Sequence, residues 1–224
     1  MSDDSFIREV EEELRSERLR SFWSQFGNYI IAAAVIIILA VAGTRYYQYT
    51  QAQEAAANGD AFMDAVRLAE NEKRDEALAA LSDIQENGPP AYQAMASLRA
   101  AAELAQKDDS AGALALYDQV IASANVDENL KAVARLRAGM LLVDTGTVKD
   151  VEDRVNALAA PGAPYRASAR EALGLAYYKA GDLEKAFQQF DAILSDTESP
   201  SNVRERSTIL LSLIASKGGP TRSN

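Results

Sequence analysis

The chain of 224 residues has no cysteine and no histidine. Without cysteine no disulfide can form and no thiol can act as a nucleophile. Without histidine the commonest general base and the commonest metal ligand are both missing. Any metal would have to be held by carboxylates alone, and Asp108-Asp109-Ser110-Ala111-Gly112 lacks the ligand spacing of an EF-hand loop. Basic residues are in deficit, 23 against 33 acidic, for a net charge of −10. Nucleic-acid binding needs a basic footprint, so this balance argues against it. No glycine-rich phosphate loop is present, because Lys217-Gly218-Gly219-Pro220 does not join a strand to a helix. The acidic groups Asp108-Asp109 and Glu11-Glu12-Glu13 read as a turn and a solvated helix face. A serine–lysine enzyme of the cell envelope is the one catalytic alternative, and no motif marks such a pair. The expectation is a non-enzyme with no cofactor and no metal. Proline is also scarce, with six residues gathered near turns, and alanine is abundant. That composition predicts an all-α protein.

A long uncharged run is present. From Ser21 to Thr44 there is no Asp, Glu, Lys or Arg, and Arg20 and Arg45 bracket the stretch. As a helix these residues reach roughly 36 Å at about 1.5 Å each, and a hydrocarbon core of about 30 Å needs about 20. Phe22, Trp23, Phe26 and Tyr29 stand at one end, and Tyr46, Tyr47 and Tyr49 at the other, in the manner of interfacial aromatic belts. Ile30 to Ala42 carries none of the polar stripe that soluble helices usually have. A transmembrane helix over 21–45 is therefore expected. Cleavage as a signal peptide is the alternative, since Ala40-Val41-Ala42 has the small-x-small form of a cleavage site, but the region before the run is long and rich in acids. Orientation follows lysine and arginine. Arg8, Arg15, Arg18 and Arg20 precede the run, and Arg45 alone follows within twenty residues. This predicts a single pass with residues 1–20 as a cytoplasmic arm and the remainder across the membrane.

The remainder repeats. In Arg170 to Leu194, Leu173-Gly174 is followed by Tyr177, Ala186 and Phe190 at the spacing of a tetratricopeptide unit. Gly174 and Ala186 are small where two antiparallel helices touch, and Tyr177 and Phe190 fill the space between helix pairs. Gly181-Asp182 makes the turn, the glycine ending one helix and the aspartate capping the next. Three weaker copies align with this unit. Ala138-Gly139 precedes a second helix of about Val148 to Leu158 carrying Val151 and Val155. Ala100-Ala101 precedes Ala113 and Tyr117. Ala77 and Leu81 precede Pro89-Pro90. Positions 77, 113, 151 and 186 are 36, 38 and 35 apart, close to the ideal of about 34. An apolar helix of about Asn202 to Ser216 would cap the stack. The fold expected is an α-solenoid of about four degenerate repeats and a capping helix over 46–217, with 218–224 as a flexible tail. Tyr46 to Glu72 holds no proline, so the membrane helix either runs on into the first repeat or breaks at Asn58-Gly59. The packing residues expected are Ala77, Ala113, Gly139, Gly174, Tyr177, Ala186 and Phe190. The repeat frame directs Met95, Leu98, Val133, Leu136, Met140, Val143, Leu175 and Tyr178 towards a groove lined by the first helix of each pair, an apolar set suited to adaptable contact.

An N-terminal anchor followed by degenerate repeats resembles the YfgM family of ancillary subunits of the bacterial SecYEG translocon. Gly43-Thr44-Arg45-Tyr46-Tyr47, Asp127 to Leu142 and Ala91 to Ala101 carry the resemblance. It implies an inner-membrane protein with its repeat domain in the periplasm. The partners it implies are Sec translocon subunits, a periplasmic chaperone of the PpiD type, and newly exported chains. The signal-cleaved alternative would be a periplasmic repeat protein coordinating envelope or cell-division machinery.

Overall fold

The computed structural model describes residues 3–222, with side chains from Trp23 onward except those of Ile30, Ala33 and Ala34. The side chains of the arm Met1 to Arg20, including the four arginines that set the expected orientation, lie outside the described residues, as do Ser223 and Asn224. Every regular element among the described residues is helical. The chain forms two compact units, Met1–Ala56 and Ala57–Asn224.

Helix α1 spans Asp3–Glu70. Its residues up to Ala56 make up the helical part of the first unit. There Ile36, Ile37, Ile38 and Leu39 are each about two-thirds exposed, and Gly27 lies beside the Trp23 indole. Among the described residues no helix is long and apolar enough to cross a membrane. The uncharged run includes Ile30, Ala33 and Ala34, whose side chains are outside that set.

In the second unit α1 continues to Glu70 with no break at Asn58-Gly59. The bare Cα of Gly59 leaves room there for the Tyr92 hydroxyl, which would stand 3.1 Å from a Cβ. Eight further helices follow. They are α2 (Arg74–Asn87), α3 (Pro90–Gln106), α4 (Ser110–Ala122), α5 (Glu128–Thr145), α6 (Val148–Val155), α7 (Arg166–Lys179), α8 (Leu183–Ser195) and α9 (Ser201–Ser216). A 3₁₀ turn, Asn156–Ala159, extends α6 and buries Leu158. The second helix of the third repeat thus stops being α-helical three residues before its expected end at Leu158.

Local chemistry sets these boundaries. The side chains of Asp109, Asp127 and Asp182 accept backbone N–H bonds at the starts of α4, α5 and α8. Thr147 and Asp150 form a reciprocal capping box on α6. Pro90 opens α3, where its missing N–H has no partner to lose. Within three of the pairs the same turn recurs. Glu72, Asp108 and Gly181 have φ of 62°, 62° and 83°, and each stands five residues before the small residue of its repeat, Ala77, Ala113 or Ala186. The left-handed residue lets the next amide fold back to the end of the first helix, as when Asp182 N–H donates to the Tyr177 carbonyl at 2.9 Å. The third repeat departs from this, with Gly146 at φ −114° and the Thr147 box in place of the left-handed turn.

Packing follows the chain. Each second helix meets the next first helix, α2 with α3, α4 with α5, α6 with α7 and α8 with α9, while the first helices α3, α5, α7 and α9 also touch in succession. The core is built of alanine at the close approaches and larger groups between them. Ala65, Leu81, Ile84, Ala96 and Ala100 form its first cluster, and the largest joins residues from α5 to α9 around Val151, Val155, Phe190, Ile193 and Ile214. Two glutamates are buried within it. Glu103 on α3 pairs with Arg99 at 2.8 Å and with Arg74 of α2 at 3.6 Å. Glu171 on α7 accepts from Nε and Nη2 of Arg206 on α9 at 2.5 and 2.8 Å. Burial of a carboxylate is tolerated only with such pairing. The tail does not simply leave the surface. Gly219 N–H donates to the Ile214 carbonyl, and Arg222 pairs with Asp191 of α8 at 2.6 Å.

Candidate partner-binding groove

Among the described residues the first helices α3, α5, α7 and α9 touch in succession along the stack. Small residues bring α5 and α7 each close to the second helix of its own pair. On α7, a Cβ at Gly174 would stand 2.7–2.9 Å from three carbons of the Phe190 ring. On α5, a Cβ at Gly139 would stand 2.4 Å from Cγ1 of Val155. Ala77, Ala113, Ala186 and Phe190 are fully buried. Tyr177 is buried too, and its hydroxyl donates to Glu152 of α6 at 2.5 Å. Burial, followed by that hydrogen bond and the charge of Glu152, pushes the phenol up to about 12. The seven residues expected to pack helices are all buried in the repeat unit.

The eight residues expected to line the groove are more varied. Met140 of α5 is the most exposed, at 37%. Met95 of α3 and Val133 of α5 are half-buried. Leu98, Val143, Leu175 and Tyr178 are half-buried with one side against a core cluster. Leu136 differs, being only 8% exposed and part of the core cluster that holds Leu142, Val151 and Leu173. Its place four residues before Met140 puts it on the same stripe, but there the neighbouring helix already covers it. The expectation of Leu136 as a contact residue is corrected accordingly.

Two polar ties join first helices, and the sequence reading missed both. Glu171, Leu175 and Tyr178 share one face of α7 at steps of four and three, and Glu171 uses that position to hold Arg206 of α9. Lys179 at the end of α7 donates to the Val143 and Asp144 carbonyls at 3.1 and 2.7 Å, satisfying the open C-terminus of α5. Lys217 sits 4.5 Å from the centroid of the Tyr178 ring. The charges beside Leu175 and at the end of α5 are thus paired, while Arg137, one turn before Met140 on α5, is exposed.

The chain is similar to known proteins along most of its length. Residues 20–212 match the family described as a tetratricopeptide repeat-like domain. A protein of Haemophilus influenzae named as an ancillary SecYEG translocon subunit is 27% identical over 151 residues, covering 66% of this chain and 72% of that protein. One of Escherichia coli K12 with the same name is 27% identical over 186 residues, covering 83% and 88%. The degenerate repeat frame, the alanine-built helix contacts and these matches agree: the chain belongs to the tetratricopeptide repeat-like domain family and is YfgM-like.

Proposed function

We propose that this protein is a membrane-tethered adaptor that works beside the Sec translocon. The uncharged stretch 21–44 is its anchor, with residues 1–20 in the cytoplasm and the repeat unit in the periplasm of a bacterial cell. The repeat unit binds a PpiD-type chaperone and newly exported chains, and does no chemistry on them. The names of the two relatives support the place. One observation supports the binding mode: Met95 on α3, Met140 on α5 and Leu175 on α7, on successive first helices, each keep apolar surface uncovered. Buried apolar contact contributes roughly 25 cal/mol per Å², less the ordering cost of association. Binding of this kind survives raised salt, since salt screens exposed charges over about 8–10 Å.

The test is the double variant Met95→Glu with Met140→Glu. Neither methionine belongs to a core cluster, so the fold should survive, and circular dichroism checks that it does. Crosslinking in intact membranes, with partners identified by mass, is expected to lose the chaperone and exported chains while the translocon contact through the anchor persists. Equal capture of all partners by the folded variant would place recognition elsewhere. The mass of the mature protein tests the tether in the same preparation. A chain shortened by about 42 residues, at Ala40-Val41-Ala42, would mean a signal peptide was removed.

A further inference from the structure

A second cleft lies away from the groove, between the end of α8, the first turns of α9 and the tail. Its volume is about 520 Å³, within the range of small-ligand sites. Three features point to a negatively charged occupant. Ser199 lines the cleft and is only 8% exposed, yet its Oγ has no hydrogen-bond partner. Such a buried hydroxyl costs free energy unless something meets it. Two guanidiniums line the same cleft, those of Arg204 and Arg222. Arg222 is held by Asp191 at 2.6 Å, whereas Arg204 has no ion-pair partner among the described residues. Finally, Pro200 gives α9 no side-chain cap; Asn202 Oδ1 accepts from the Val203 amide, which leaves the Ser201 and Asn202 amides at the positive end of a 16-residue helix.

We propose that this cleft binds a peptide carboxylate. The guanidinium of Arg204 presents a planar fork that matches a carboxylate with two parallel bonds. Ser199 Oγ and the α9 amides complete the coordination of its oxygens. The carboxylates of Glu205 and Asp191 offset the two arginines, so the cleft accepts a single negative charge more readily than the double charge of a phosphate. Leu194 supplies an apolar wall for the residue that carries the carboxylate. Because the site lies outside the groove, it stands or falls independently of the adaptor reading.

The measurement is ¹⁵N NMR of the arginine Nε–H signals in the full chain, held in a nonionic detergent. Arg204→Gln and Arg222→Gln assign the two resonances. Four probes are titrated: acetyl-Ser-Ala-Leu with a free C-terminus, its amide, acetyl-Ser-Glu-Leu amide, and inorganic phosphate. The expected result is a saturable shift of the Arg204 signal with one or both carboxylate peptides and none with acetyl-Ser-Ala-Leu amide. Whichever peptide acts names the source as a chain terminus or an acidic side chain. Arg204→Gln should weaken binding about tenfold, the loss of one charge-assisted pair, and Ser199→Ala should weaken it several-fold. Three results would each overturn the proposal: no saturable shift, an equal shift with the neutral amide, or saturation by phosphate with neither peptide acting. The comparison of acid with amide uses the unaltered protein, so it does not depend on any variant folding.

Discussion

Gly174 shows how one missing methyl sets a helix spacing. Phe190, the ring against it, is fully buried and cannot withdraw. Alanine is the better helix former by about 1 kcal/mol, whereas overpacking a close contact costs about 1–3 kcal/mol. The immobile ring decides between them. Gly174→Ala is expected to lower stability by about 1–2 kcal/mol in a denaturant titration, and Gly174→Leu to unfold the last repeat; an unchanged midpoint for either would mean that α7 and α8 separate freely. Glu72 illustrates the opposite case. It holds φ at 62° with a full side chain, a conformation that costs L residues roughly 1–2 kcal/mol. Glycine removes that strain but gains freedom in the unfolded chain. Glu72→Gly is expected to raise stability by about 0.5–1 kcal/mol. Asp108→Gly should gain less, because short polar side chains tolerate this region better. Thermal melts of the two variants side by side check the ranking.

At the scale of elements, the clamp between α7 and the end of α8 carries a pH signature. Arg166 donates to both oxygens of Asp196 at 2.5 and 2.9 Å, and Arg170 approaches to 3.5 Å. The Arg166 hydrogen bonds hold the Asp196 carboxyl down at about 2, against about 3.9 in an unfolded chain. A depressed carboxylate stabilises the fold at pH values above its unfolded value, and that contribution fades as pH falls from about 4 through about 2. The melting temperature of the parent chain should therefore exceed that of Asp196→Asn by a steady margin above pH 4, and the margin should close on acidification towards 2. A margin that stayed constant would mean the clamp contributes nothing through charge.

The same elements show what could be read beforehand. Helix pairs, caps and close contacts were legible because each depends on residues near in sequence: Gly181-Asp182 at a turn, Gly174 twelve residues before Ala186. The buried glutamates were not, since Glu171 and Arg206 lie 35 residues apart and neither looks unusual alone. The left-handed turns at Glu72 and Asp108 were hidden because neither position carries the glycine that marks Gly181. Leu136 was assigned to the groove by its stripe, and only the neighbouring helix reveals that the stripe is covered there. The cleft beside α9 was invisible for a related reason, as Ser199, Arg204 and Arg222 meet only once α8, α9 and the tail are folded.

For the whole molecule, the proposed topology makes a direct prediction. Protease added outside spheroplasts should digest the repeat unit and spare residues 1–20, because four arginines precede the uncharged run and one follows it. Protection of the repeat unit would sink the periplasmic role. The order of packing has a further consequence, in time. Helices contact mainly their neighbours in sequence, so no distant segment must be awaited before a repeat can form. Yet the largest core cluster joins α5 to α9, the part of the repeat unit that is synthesised last. Folding should therefore nucleate at the C-terminal pairs and propagate back towards α2. The earlier, alanine-rich repeats would stay open while the chain is still emerging, and a substitution at Gly174 should slow refolding where one at Leu81 mainly hastens unfolding.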